Sequence, residues 1–269
     1  MPSYVVTGAS RGLGLEFLRQ LASNPANIVI GLVRNVADTE ARIIAWKGSN
    51  VHIIRGDLDD YESLQQAVEA TAVITSGKLD YLIANAAYVT PWSAYDKFST
   101  LGKDPSGLTD DLVKSFTTNV VGNVHLFNLF MPLILKGDVK KVVTISSGMA
   151  DNDLVTKFGV YEAGPYTVSK SAMNMVVSKF QAEYESEGVL FLSISPGLVD
   201  TGIGEELQGE NLQNAMRLVG KLVKYQPEFK GPSKVEDATK DVLKVIENSK
   251  LADGLAGAFI SHLGNKQWV

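Results

Sequence analysis

The chain has 269 residues, 45% hydrophobic and 20% charged, which excludes a mainly disordered state because enough apolar surface is present to offset chain entropy. Its net charge is −5 and no basic stripe is present, which argues against a nucleic-acid partner. There is no cysteine, so disulfides, thiolate catalysis and thiolate metal sites are excluded.

At roughly 150 residues per domain the length allows two domains, but α/β units of this size often fold as one. The expectation is one domain over residues 1–269. MPSYVVTGAS has no basic leader, and no run approaches 18 apolar residues. The reading is a cytoplasmic protein with no membrane partner.

Strands are predicted at Tyr4–Thr7, Ile28–Val33, Val51–Arg55, Tyr81–Ala84, Lys141–Ser146, Leu190–Ser195 and Ala258–Ser261. Most are apolar on both faces, as strands covered on both sides are. Helical periodicity lies between them. Leu112, Phe116, Val120, Val124, Phe127 and Met131 form one apolar row, and Val168, Ala172, Met175, Val176 and Phe180 a second. The alternation predicts an α/β fold, a doubly wound, mostly parallel seven-stranded sheet with helices on both faces. Residues 201–233 are the least regular part, with Gly202, Gly204, Gly209, Gly220, Gly231, Pro227 and Pro232. They read as a substrate-loop insertion before the last helix, not a second domain.

The first strand ends in TGASRGLG. Gly8, Gly12 and Gly14 follow a strand and open a helix, the context a dinucleotide-binding turn requires. The helix N-terminus adds partial positive charge where a pyrophosphate would sit. A glycine-rich turn without a ligand is the alternative. The second strand ends GLVRN, with Val33 where an acidic residue would hold a ribose 2′-hydroxyl. Arg34 follows and Arg11 lies in the turn. Two guanidinium groups suit a 2′-phosphate, which favours NADP(H) over NAD(H); both could instead be solvated charges.

YTVSK spans 166–170. At helical spacing Tyr166 and Lys170 share a face. A free tyrosine has a pKa of about 10, and a nearby ammonium would lower it toward working pH. Alone, the pair is a common accident. Upstream, VVTISSG is a strand ending in hydroxyls. Ser147 would lie at the ligand-binding edge of the sheet and could polarise a carbonyl oxygen; Ser146 competes with it. Asn119, in TTNVVGN on the preceding long helix, could hold a water on a proton path.

In order, these motifs resemble a short-chain dehydrogenase/reductase of the single-domain, Rossmann-fold type. TGxxxGxG, the helical Asn, the strand-end Ser, YxxxK and a following Pro-Gly occur over essentially the whole chain. Within the family the chain looks most like fungal carbonyl reductases of the norsolorinic acid ketoreductase-like group. The resemblance implies Tyr166 as the proton donor, Lys170 lowering its pKa and holding the nicotinamide ribose, Ser147 polarising the carbonyl, and Asn119 anchoring a water. It implies cofactor contacts from Gly8, Ser10, Arg11, Gly12, Leu13, Gly14 and Arg34. Asp57 and Leu58 match the pair beside the adenine, and Asn85 a strand-stabilising asparagine that lines the cleft. Pro196, Gly197, Val199 and Thr201 match the segment at the carboxamide end. A small carbonyl or alcohol substrate and a homodimer or homotetramer are also implied.

Two departures stand out. Ala84–Ala87 reads ANAA where the family has NNAG, so the backbone at Ala87 must accept a Cβ. Ser147 and Tyr166 are 19 apart, several more than in most relatives. The extra loop, Asp151–Gly164, carries Leu154, Phe158 and Tyr161 and reads as one wall of a substrate pocket. Leu207–Val223 reads either as a mobile lid or as a helix packed on the surface. Trp268, near the C-terminus, reads as a core cap or a subunit contact.

His52, His125 and His262 are far apart, which argues against a metal site. Asp59–Asp60, Asp110–Asp111 and Glu205–Glu206 read as solvated charges or helix starts. No GxSxG elbow supports a hydrolase. The expected activity is reduction of a ketone or aldehyde with NADPH. The alternative is a non-catalytic NADP(H)-binding redox sensor, against which the matched Ser, Tyr and Lys argue.

Overall fold

A computed structural model describes residues 1–202 and 207–269. The predicted apolar runs pair as one seven-stranded sheet: β1 (Ser3–Thr7), β2 (Ile28–Val33), β3 (Val51–Arg55), β4 (Tyr81–Ala84), β5 (Lys141–Ile145), β6 (Leu190–Ser195) and a last strand, β9 (Phe259–Ser261). Every neighbouring pair is parallel, in the order β3-β2-β1-β4-β5-β6-β9. The order reverses between β1 and β4, where open α/β sheets open a crevice at the carboxyl ends of their strands.

The helices are α1 (Gly12–Ala22), α2 (Val36–Ile43), α3 (Tyr61–Ile74), α4 (Phe98–Leu101), α5 (Pro105–Phe116), α6 (Gly122–Ile134), α7 (Asn152–Phe158), α8 (Gly164–Tyr184), α9 (Gly209–Tyr225) and α10 (Val235–Asn248). Side chains alternate across the sheet with period two. Val5, Leu82, Val142 and Phe191 face Leu64, Phe127, Phe130, Met173 and Val177 of α3, α6 and α8. Tyr4, Val6, Ile83, Val143 and Leu192 face Phe17, Leu18, Val242 and Ile246 of α1 and α10. The two cores account for strands that are apolar on both faces.

The apolar rows need correction. Phe127 and Met131 are buried as expected, but Phe116, Val168 and Met175 are exposed. The core face of α8 runs instead through Lys170, Met173, Val177 and Phe180. Periodicity identifies the helix but not which of its apolar residues meet the sheet. With Val113 and Val121, the displaced residues Phe116, Val168 and Met175 lie exposed on α5, the turn after it and α8.

Two segments that read as irregular in sequence contain helices. The loop between Ser147 and Gly164 holds α7, capped by Asp151, whose carboxylate accepts the Leu154 N–H at 2.8 Å. The insertion holds α9, a 17-residue helix, between β7 (Val199–Asp200) and β8 (Ser233–Lys234), which pair in parallel. Gly204 and the pair Glu205–Glu206 lie outside the described residues. Among the described residues, no helix is long and apolar enough to cross a membrane.

Candidate active site

The glycine turn is built by close approach. A Cβ on Gly14 would strike the main-chain oxygen of Gly8, and one on Gly8, whose φ is +66°, would lie 2.8 Å from Ala86 Cα. Asn85 locks the arrangement. Its amide donates to the oxygens of Thr7 at 2.9 Å and Gly8 at 3.4 Å, and Thr7 Oγ1 accepts from the N–H groups of Asn85 and Ala86. Ala87, which replaces the expected glycine, has no left-handed φ, so its Cβ costs no backbone strain.

Gly12 is different. A Cβ there would meet only Thr201 Cγ2, at 3.8 Å. The turn and Thr201 thus face each other across a gap. No side chain caps the N-terminus of α1 beside Arg11, so its first N–H groups are unpartnered by a cap. An uncapped helix start facing an open glycine is a fit for a pyrophosphate. Arg11 and Arg34 are exposed at this edge, and Val33 is buried. Asp59 lies near Arg34. Burial pushes its carboxyl up, but hydrogen bonds from Lys114 and Thr118 outweigh this and hold it below the usual range, with a small contribution from Arg34. Leu58, beside Asp57, is buried with its main-chain oxygen against Gly122.

The hydroxyl cluster gathers at the carboxyl end of β5. Ser146 Oγ donates to Asn174 Oδ1 at 2.8 Å and is buried, which removes it from the site. Ser147 is only partly buried, and its Oγ accepts a long bond of 3.3 Å from the Met149 N–H. Pro196 and Gly197 follow β6, whose Ile194 accepts the Ser146 N–H at 2.8 Å. Across from them α8 presents Tyr166 and Lys170, with Lys170 Nζ 5.5 Å from the centre of the Tyr166 ring. Lys170 is buried and donates to the Ile145 oxygen at 2.7 Å.

The electrostatics reverse one expectation. Burial pushes the Tyr166 phenol up to about 12 and the Lys170 ammonium down to about 8. The spacing predicts that Lys170 lowers Tyr166; in this chain desolvation of both groups dominates, and the ammonium is turned toward a main-chain oxygen. Tyr166 is therefore protonated at neutral pH.

Asn119 sits in a π-helical turn, Thr117–Val121, between α5 and α6. Such turns interrupt α-helices and are frequent at functional sites. Its amide donates to the Tyr88 oxygen and to Ser169 Oγ, both at 2.9 Å, and its oxygen accepts the Tyr88 N–H at 2.6 Å. Ser169 Oγ in turn donates to the main-chain oxygen of Tyr166 at 2.6 Å. The Asn119 side chain ties the segment after β4 to the helix of Tyr166. Tyr88 and Ser169 carry no motif signal, since a main-chain partner and a helical serine look ordinary in sequence.

The model of the short chain dehydrogenase family matches residues 3–211. The chain belongs to that family. It is 52% identical to the short chain dehydrogenase virK of Hypocrea virens and 44% identical to the short-chain dehydrogenase/reductase iacC of Pestalotiopsis fici, in each case over the full length of both chains. Its fold matches the NADPH-bound carbonyl reductase from chicken fatty liver, with a TM-score of 0.77, 23% identity and 98% of each chain covered. The carbonyl reductase Sniffer of Drosophila melanogaster has the same TM-score at 21% identity, again with 98% of each chain covered.

On this dehydrogenase frame, the long Ser147–Tyr166 connection and the insertion pack on each other. Leu154 of α7, Val160, Leu218 and Leu222 of α9, and Trp268 form a separate apolar cluster with Met149, Phe158 and Tyr225 around it. The described part of the segment read as either lid or packed helix is thus a packed helix with three buried residues, Asn214, Leu218 and Leu222. Trp268 stacks on Phe259 at 4.3 Å between ring centres, and its ring and Cβ occupy the space a side chain at Gly148 would need. Sequence alone gives Trp268 no tie to the site; the structure puts it against the residue next to Ser147. His262 lies against Gly197, while His125 meets Tyr61 edge-on. Among the described residues, no three His, Asp or Glu converge as metal ligands do.

Proposed function

We propose that this short-chain dehydrogenase reduces a ketone or aldehyde to an alcohol with NADPH. The observation that carries the reading is the pairing of Tyr166 with Lys170, whose Nζ lies 5.5 Å from the centre of the phenol ring and donates to the main-chain oxygen of Ile145 at the end of β5, two residues before Ser147. Gly8, Ser10, Arg11, Gly12, Leu13 and Gly14 would hold the pyrophosphate, and Arg11 and Arg34 the 2′-phosphate. Asp57 and Leu58 would border the adenine, Asn85 the cleft, and Pro196, Gly197, Val199 and Thr201 the nicotinamide end. A bound nicotinamide supplies the hydride. Tyr166 delivers its proton to the carbonyl oxygen, Ser147 donates a hydrogen bond to the same oxygen, and Lys170 holds the ribose. Asn119 is a positioning residue through Ser169 and Tyr88. The NADPH in the chicken carbonyl reductase agrees with this choice of cofactor.

The apolar groove of about 310 Å³ lined by Leu112, Val113, Phe116, Pro165 and Val168 supports self-association through α5 and α8 as a homodimer or homotetramer. The test of activity is a spectrophotometric screen of aldehydes, ketones, diketones and quinones with NADPH and with NADH. Carbonyl-dependent oxidation, faster with NADPH, supports the reading. Tight binding of NADPH without turnover across the panel favours a redox sensor.

A further inference from the structure

Beside the apolar cluster, one charged side chain of α9 reaches the polypeptide just ahead of Tyr166. Lys221 Nζ lies 2.6 Å from Glu162 Oε1 and 3.3 Å from the centre of the Tyr161 ring. The pair is shielded: the Glu162 side chain is 1% exposed and that of Lys221 18%. Glu162 Oε2 has no other partner among the described residues, so Lys221 is the cation that offsets this buried charge.

The backbone immediately after Glu162 is strained. Ala163 takes a left-handed φ of +53°, unusual for a residue with a Cβ. Its oxygen accepts the Thr167 N–H at 2.9 Å, which starts the helix carrying Tyr166. Gly164 is pressed against the Phe98 ring. Strained backbone persists only where its surroundings over-determine it. Here Phe98 presses from one side, and the buried pair anchors the residue before the strained one. A second link, Asn214 Nδ2 to Asp96 Oδ1 at 3.5 Å, ties α9 to the segment before α4. α9 thus spans from the loop after β4 to the start of α8.

We infer that Lys221 is a positioning residue, which acts through Glu162 to set the start of α8 and with it the placement of Tyr166. The inference rests on the reductase reading for its catalytic consequence, though not for its structural one. It makes the insertion helix a determinant of turnover.

The test compares wild type with Lys221→Met, Lys221→Arg and the double variant Glu162→Gln/Lys221→Met, which removes both buried charges should the single variant fold poorly. Hydrogen exchange of the unliganded chain is read at residues 163–168 and 209–225. In Lys221→Met both segments should exchange at least tenfold faster, with the sheet unchanged, and Lys221→Arg should restore protection. With NADPH and an aryl vicinal diketone that wild type reduces, kcat should fall at least tenfold in Lys221→Met and in the double variant. NADPH affinity should stay within twofold, and Lys221→Arg should recover most of the rate. Loosening of 209–225 without 163–168, or a rise in KM at unchanged kcat, overturns the inference. A wild type with no carbonyl turnover sinks the reductase reading instead, and the exchange data then decide the coupling alone.

Discussion

Ser146 and Ser147 are neighbours with opposite commitments: the first donates its hydroxyl inward to Asn174 at 2.8 Å, and the second stays at the open end of β5. The backbone stays extended past the end of β5, and this imposes the split, since successive side chains of extended chain leave opposite faces. Substitution should separate the two. Ser147→Ala is expected to lower kcat by roughly 10²–10³-fold, the cost of losing one donor to a developing oxyanion. Ser146→Ala is expected to cost on the order of 1 kcal/mol of stability, with kcat little changed. Steady-state kinetics with urea titrations of both variants check this.

Tyr166→Phe removes the proton donor and leaves the ring. Turnover should fall by roughly 10²–10⁴-fold while NADPH affinity stays within threefold. Fluorescence titration with NADPH alongside single-turnover kinetics is the check. A variant that loses binding but turns over normally when saturated would contradict the role of Tyr166.

Arg34→Ala should raise the KM for NADPH by about tenfold or more and leave that for NADH nearly unchanged, because only one cofactor carries the 2′-phosphate. The ratio of kcat/KM values for the two cofactors reports it. Equal losses for both would return Arg34 to the status of a solvated charge.

Burial gives Lys170 a pH signature. Its pKa is about 8 in the folded chain and about 10.5 when unfolded, so between those values the unfolded state binds more protons and stability rises with pH. Below about pH 8 the full cost of burying the ammonium is present. Lys170→Met should therefore be more stable than wild type at pH 7, by on the order of 1–3 kcal/mol, and the gap should close toward pH 10.5. Urea unfolding of both proteins at pH 7, 9 and 10 measures it; a gap constant across that range would contradict the burial of the charge.

Trp268→Ala should cost about 3–5 kcal/mol, the usual loss for a buried tryptophan. Because the ring fills the space beside Gly148, kcat should fall more than NADPH affinity. Thermal unfolding and kinetics on one preparation test both parts.

The sheet is legible in the sequence because each strand is a short apolar run buried on both faces, a pattern surface chemistry does not imitate. TGASRGLG and YTVSK are legible because glycine spacing and helical spacing carry their own geometry. The outward faces of α5 and α8 are not, since Val168 and Met175 are as apolar as Met173 and Val177 and only packing tells them apart. Nor is the direction of the Tyr166 shift: charge proximity can be guessed from i,i+4 spacing, whereas desolvation depends on everything stacked around the pair. α7 escapes, and α9 is legible only as one of two readings, because their neighbourhoods are rich in glycine and proline and the contacts that stabilise them come from distant residues such as Trp268.

The place of Trp268 also bears on the order of events in synthesis. Residues 3–145 already contain five neighbouring strands, β3, β2, β1, β4 and β5, and the nucleotide turn. A nascent chain could assemble that half-sheet early. The support behind Gly148 arrives 120 residues later, from a tryptophan that emerges from the ribosome after β9. The growing chain should therefore acquire affinity for a dinucleotide well before it acquires turnover, and shortened chains ending before Trp268 would bind without reacting.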